Sequence, residues 1–161
     1  MRIYSQVHLD DDSVLSVVTY AVDHLKVKHG RFTLVSQVRW GLIRSLSLVV
    51  VVGHSQCGGA AACVAAASAP PPAEQPDVPL LRWLAPLTSL ARSLDVASKE
   101  PKEALSLLVT ESVRRQVQNL TKTETIKGAW ARGEDVQIHG WVYDIPTGTL
   151  IDLGMTHAPG L

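Results

Sequence analysis

The stretch Leu48-Val49-Val50-Val51-Val52-Gly53-His54-Ser55-Gln56-Cys57-Gly58-Gly59 decides the fold of this chain. Its first five residues form an apolar, largely β-branched run, which is typical of a buried parallel strand. The run stops at Gly53, and the carboxyl end of such a strand is where α/β proteins place ligands. His54 and Cys57 follow there in H-x-x-C spacing, and zinc accepts an imidazole nitrogen together with a thiolate. We therefore identify His54 and Cys57 as candidate metal ligands, although a stable zinc site needs more than two.

Length and composition favour a single globular domain. The chain has 161 residues, enough to bury a core, so we predict one domain over 1–161. Its 15 basic and 15 acidic residues balance without a basic stripe, which argues against a nucleic-acid partner. No apolar run reaches the roughly 18 residues that span a bilayer, so no membrane partner is expected. Two cysteines make no disulfide framework and no secretory signal precedes Asp12, which favours the cytoplasm.

Periodic patterns on both sides of the opening stretch predict an α/β fold. Apolar residues at helical spacing predict helices over 11–29, 78–94, 103–120 and 126–132, and the small, alanine-rich composition of 58–68 suits a tightly packed helix. Alternation and β-branched residues predict strands over 48–52, 136–143 and 150–153, and the last two strands are joined by a turn at 146–148. Strands interleaved with helices favour a sheet that is covered by helices.

Two further segments carry a resemblance to a known family. The first is Tyr20-Ala21-Val22-Asp23-His24-Leu25-Lys26-Val27-Lys28-His29, and the second is His139-Gly140-Trp141-Val142-Tyr143-Asp144. Together with the H-x-x-C-G-G turn, they make the chain similar to the β-class carbonic anhydrases over most of 9–29 and 48–154. The resemblance implies a shortened form of that fold, with a mostly parallel sheet, an antiparallel C-terminal strand and flanking helices.

The resemblance also implies a zinc enzyme that interconverts carbon dioxide and bicarbonate. Members of that family hold zinc with two cysteines and one histidine, and His54 and Cys57 match two of these ligands. Zinc lowers the pKa of its bound water to about 7, and the resulting hydroxide attacks carbon dioxide. Family members dimerise through apolar contacts, so a homodimer or a higher oligomer is expected.

The sequence departs from the family pattern in two places. The family's other cysteine lies in a Cys-x-Asp-Ser-Arg motif, which these 161 residues do not contain. We therefore expect an N-terminally truncated member with an incomplete zinc site, no matched catalytic residue and weak or absent hydration of carbon dioxide. The second departure is an atypical insert at 30–47. Its Phe32–Trp40 part alternates like a strand, and we hypothesise that it covers the free edge of the 48–52 strand.

Two other interpretations stay open. A non-catalytic family member that keeps the fold and the dimer surface, and acts as a binding or regulatory subunit, also fits the missing motif. From a different class, Gly53–Cys57 resembles the nucleophile elbow of α/β-hydrolases, with Ser55 as nucleophile and a late histidine such as His157. Cys57, however, stands where that elbow requires glycine.

Several other chemically capable side chains are expected to be structural. Cys63 follows Cys57 by six residues and faces elsewhere on a continuous helix, which indicates a core position. His139 lies within a predicted strand and is interpreted as structural. The tryptophans Trp83, Trp130 and Trp141 are predicted to be core or dimer-interface anchors.

Overall fold

The computed structural model describes Leu9 and residues 11–24, 47–71 and 78–160. Helices α1 to α5 span Asp12–Thr19, Gly58–Ala67, Pro79–Ser93, Pro101–Thr121 and Glu124–Ala131, and strands β1 to β3 span Ser47–His54, Val136–Asp144 and Thr149–His157. A π-helical turn at Tyr20–His24 follows α1, and a 3₁₀ turn at Val96–Ser98 follows α3. The predicted strand at 32–40, with all of the insert except residue 47, lies outside the described residues.

The three strands form one mixed sheet in the order β1-β2-β3. Just beyond β1, the backbone N–H of Ser55 donates to the Tyr143 carbonyl near the end of β2, at 2.9 Å. The carboxyl ends of β1 and β2 therefore meet, and the two strands run parallel. β3 returns through a turn in which the Gly148 N–H donates to the Asp144 carbonyl at 2.8 Å. The predicted α/β fold with an antiparallel C-terminal strand is confirmed.

The ends of some helices and strands differ from the predicted ends, because exposed residues there leave no apolar pattern in the sequence. β3 begins one residue before the predicted span 150–153 and ends four residues after it. Met155 is the buried residue of this strand. A strand that is exposed along most of its length lacks the one-sided apolar alternation on which the prediction depends. Helix α4 begins at Pro101 rather than at 103, because the fixed φ of proline suits the first position of a helix.

The first predicted helix, 11–29, is only partly confirmed. Helix α1 ends at Thr19 and the chain then widens into the π-helical turn, while 25–29 lie outside the described residues. The Thr19 hydroxyl bonds the Thr125 hydroxyl at 2.7 Å, and the Asp23 carboxylate pairs with Arg132 at 2.6 Å. These contacts with distant residues hold the backbone there, and a helical period along the sequence does not contain them.

Backbone contacts divide the chain into two compact units. The first contains the described residues up to Val52, Arg114–Trp141 and the residues from Asp152. Its core consists of apolar side chains from helices and strands, including Val117, Leu120, Ile126, Val136 and Ile138. In the same unit the half-buried Trp130 donates its indole N–H to the Val136 carbonyl at 2.8 Å, which anchors α5 to the start of β2.

The second unit contains Gly53–Val113 and Val142–Ile151. Helix α2 is rich in alanine and packs against α3, since small side chains allow the helices to approach. Cys63 is 1% exposed in this packing, which confirms its predicted core position. Trp83 is 42% exposed on α3, so the core alternative for this residue is wrong. None of the helices in the described ranges is long and apolar enough to cross a bilayer.

The end of β1 packs directly on α4. A Cβ atom added to Gly53 would lie 2.7 Å from Cγ2 of Val113 and 3.1 Å from Cγ1 of Val109. Real Cβ atoms do not approach other carbon atoms so closely, so a side chain at Gly53 would push β1 away from the helix. Glycine is therefore required at the point where the strand delivers His54.

We expect Gly53→Ala to lower the free energy of unfolding by about 1–3 kcal/mol, because the added methyl overpacks the contact with α4. Urea denaturation of the purified chain measures the change. Adding Val113→Ala should restore part of the loss, since it removes the nearest clashing methyl. Gly58→Ala is the matched control, because its Cβ would meet no atom within 4 Å. Equal losses in the two glycine variants would contradict the packing argument.

Candidate metal centre

The two predicted ligands lie at a strand-to-helix turn within the second unit. His54 is the last residue of β1, and Cys57 is the N-cap residue of α2. Both side chains are half-buried, and Cys57 is a free thiol. The Cys57 carbonyl accepts the Ala61 N–H at 2.9 Å, whereas its side chain makes no capping bond. The backbone of Cys57 thus starts the helix while its sulfur stays available.

A left-handed residue shapes this turn. Gln56 has a φ of 57°, a conformation that costs a residue with a side chain about 1–2 kcal/mol. Such strain persists where the surrounding structure over-determines the backbone, and it clusters at functional sites. The strained residue lies between His54 and Cys57, so it sets how the chain passes from one candidate ligand to the other.

Ser55 ties the turn to the end of β2 with both its backbone and its side chain. Its N–H donates to the Tyr143 carbonyl at 2.9 Å, and its Oγ accepts the Ile145 N–H at 2.9 Å. Its carbonyl lies 3.0 Å from Nδ1 of His54. A carbonyl oxygen can only accept, so Nδ1 carries the proton in this bond and Nε2 keeps its lone pair. A neutral imidazole in this tautomer is competent to bind a metal through Nε2.

The same contacts speak against the nucleophile elbow. In that motif the serine itself occupies the sharp, strained turn with its hydroxyl exposed for attack. Here the left-handed residue is Gln56, and the Ser55 hydroxyl is engaged with the backbone of Ile145. Ser55 therefore has a structural hydroxyl, and the hydrolase interpretation loses its central residue.

Asp144 closes the end of β2 next to this turn. The Thr147 hydroxyl donates to its carboxylate at 2.6 Å, and this bond, followed by one from the Ser55 hydroxyl, lowers the pKa of Asp144. The carboxylate therefore stays ionised at neutral pH and keeps both hydroxyls as partners. The sequence identified Ser55 only as the nucleophile of the alternative hydrolase interpretation, and it gave Asp144 no role in a site. Their signal was available, because both belong to the segments that carry the family resemblance.

The described residues do not complete a zinc site. Among them, no group of three or more histidine, cysteine or acidic side chains is placed to hold a metal ion. Cys63 is no substitute ligand, because it is buried and burial raises the pKa of its thiol. His139 bonds the Thr156 hydroxyl through Nδ1 at 3.0 Å, in line with a structural role. Protein zinc sites use three or four protein ligands, so His54 and Cys57 by themselves do not fit one.

Comparison with known proteins gives one consistent result. The family model described as carbonic anhydrase matches residues 43–150. A carbonic anhydrase from Emericella nidulans is 31% identical over 156 residues, which cover 94% of this chain and 55% of that protein. A carbonic anhydrase from Synechococcus elongatus is 28% identical over 111 residues, 67% of this chain and 39% of that protein. The chain thus spans about half the length, or less, of these curated relatives.

Solved structures give the same fold. A Coccomyxa β-carbonic anhydrase in complex with acetazolamide superposes with a TM-score of 0.71 at 23% identity, covering 94% of this chain and 58% of that one. One of two tetrameric β-carbonic anhydrases from Sordaria macrospora superposes with a TM-score of 0.65 at 31% identity, covering 95% and 66%. The family match, the curated relatives and the shared fold agree with the H-x-x-C-G-G turn and the H-G-W-V-Y-D strand. The chain belongs to the β-class carbonic anhydrase family.

Proposed function

We propose that this chain is a carbonic anhydrase homologue in which His54 and Cys57 form an incomplete zinc site. Its reaction, where any remains, is the reversible hydration of carbon dioxide to bicarbonate, at a weak or undetectable rate. One observation carries the proposal: the turn after β1 presents two soft donors, and the described part of the chain gathers no third ligand around them.

Ligand number is the physical reason for weak metal binding. Each thiolate that is missing from a zinc site removes negative charge and leaves a coordination position to water. A site of one imidazole and one thiolate therefore releases zinc more readily than the three-ligand site of the family. When zinc binds, the remaining positions would be filled by water, or by a side chain from the 30–47 insert or from a partner chain.

Zinc titrations of two cysteine variants test the metal site. We expect Cys57→Ser to abolish measurable zinc binding, because a serine hydroxyl is a poor zinc ligand and stays protonated at neutral pH. Cys63→Ser is the matched control and should bind zinc like the parent chain, since Cys63 is buried in the packing of α2 and α3. Isothermal titration calorimetry with a competing chelator measures both affinities. Equal loss in both variants would show that the site has been rebuilt around Cys63.

Turnover is expected to be low even with excess zinc. These 161 residues contain no Cys-x-Asp-Ser-Arg motif, so the chain offers no Asp–Arg pair of the family's kind to orient the reacting groups. Losing such supporting groups typically costs about 10- to 100-fold in metal affinity or activity.

Stopped-flow hydration of carbon dioxide by the purified chain should therefore show a rate at least about 100-fold below that of a full-length family member assayed alongside it. Any residual rate should disappear in Cys57→Ser and persist in Cys63→Ser. A rate equal to that of the full-length enzyme would refute the proposal.

A second candidate is a non-catalytic subunit that acts by association. Four large apolar side chains of the β2–β3 hairpin, Tyr143, Ile145, Leu150 and Ile151, are each between 39% and 49% exposed. Large apolar side chains that are exposed together on one hairpin favour an association surface in a soluble protein. The Sordaria macrospora relatives are tetrameric, which supports self-association for this chain as well.

We expect sedimentation velocity at micromolar concentration to show a dimer or a larger assembly. Ile151→Lys should shift the distribution towards monomer, because a buried lysine in an apolar contact is costly. Lys122→Glu is the control, since Lys122 is exposed in the turn after α4 and lies outside the hairpin. A parent chain that sediments as a clean monomer would contradict this candidate.

A further inference from the structure

We propose that Ser55 is a positioning residue that holds His54 in the Nδ1–H tautomer, leaving Nε2 with a free lone pair before any metal arrives. The inference concerns the same pair of donors and so rests on the proposed function. It adds a residue to the site that is neither a ligand nor part of the family's missing motif.

The peptide group that accepts the His54 proton is held on both sides. The Ser55 carbonyl belongs to the peptide plane that joins Ser55 to Gln56. On one side, Ser55 is fixed by its N–H bond to Tyr143 and by the bond from Ile145 to its Oγ, both at 2.9 Å. On the other side, the plane is set by the left-handed φ of Gln56, 57°. These constraints orient the Ser55 carbonyl so that its oxygen lies 3.0 Å from Nδ1 of His54.

The side-chain hydroxyl of Ser55 is the part of this arrangement that a substitution can remove. Without Oγ, the Ile145 N–H loses its acceptor. One anchor, the bond to Tyr143, would then remain for Ser55. With fewer constraints on Ser55, the carbonyl can move away from His54, and the imidazole can then exchange its proton between the two ring nitrogens.

This role differs from a simple strand-end contact. If Oγ served only to join β1 to the β2–β3 hairpin, removing it would lower stability but leave the tautomer of His54 unchanged. If Ser55 positions His54, the tautomer changes even where the fold is intact. Metal ligation through Nε2 requires the proton on Nδ1, so the tautomer is the property that connects Ser55 to the metal centre.

Long-range ¹H–¹⁵N NMR spectra of the metal-free full chain test the proposal. They are recorded at alkaline pH, so that the neutral tautomers of the imidazoles are observed. We expect the parent chain and Ser55→Thr, which keeps the hydroxyl, to show His54 in the Nδ1–H form. In Ser55→Ala the Nε2–H form should become the major species. The tautomer of His139, which bonds Thr156, is the internal control and should not change.

A metal titration of the same variants provides a second readout. Supporting groups of a metal-bound histidine typically account for about 10- to 100-fold in affinity, so Co²⁺ binding should weaken by that factor in Ser55→Ala and recover in Ser55→Thr. If the parent chain binds Co²⁺, an affinity that is equal in all three chains would overturn the positioning role; if it binds none, the tautomer spectra alone decide.

The tautomer spectra separate this inference from the proposed function. Predominant Nε2–H in the parent chain, or the same tautomer in the parent and a folded Ser55→Ala, overturns the inference whatever the metal affinity is. Predominant Nδ1–H in a parent chain that binds no metal supports the inference, while the zinc titration alone overturns the proposed function. Predominant Nε2–H in the parent chain overturns the inference by itself, so the inference stays falsifiable even where the alanine variant does not fold.

Discussion

The structure depends on the close approach of β1 to α4 at Gly53. The strand has no side chain at this point, and the methyl groups of Val113 and Val109 occupy the space that a Cβ would need. Because the strand is pressed against the helix here, its last residue emerges at a defined place and the turn that follows has little freedom. The left-handed Gln56 and the bonds of Ser55 to Tyr143 and Ile145 then fix the turn that follows.

Much of the architecture is predictable from local patterns, and the reasons are physical. The valine run of β1 and the apolar spacing of α3 and α4 arise from burial, which leaves a period in the sequence. The length of β3 leaves no such period, because most of that strand is exposed. The widening of the helix at Tyr20–His24 also leaves no pattern in the local sequence. It accompanies bonds from Thr19 and Asp23 to residues more than 100 positions away.

The candidate site is also only partly predictable from the sequence. H-x-x-C spacing at the end of a buried strand identifies His54 and Cys57 by chemistry alone, and the structure places both at one strand-to-helix turn. Ser55 escapes such reasoning, because a serine in a turn is ordinary and its importance comes from partners 88 and 90 residues further along the chain. Membership of the carbonic anhydrase family fixes the fold, but the number of ligands within reach decides whether a metal stays bound. Family membership therefore establishes the fold of this chain but not its activity.

The unequal burial of the two cysteines has a practical consequence. Cys57 is half-buried beside the strand end, whereas Cys63 is 1% exposed and burial raises the pKa of its thiol. A thiol-directed label should therefore attach at Cys57 well before it reaches Cys63. The native chain can thus be labelled selectively at Cys57, close to His54. A spectroscopic or mass-spectrometric probe attached there would report on the turn without any engineered cysteine.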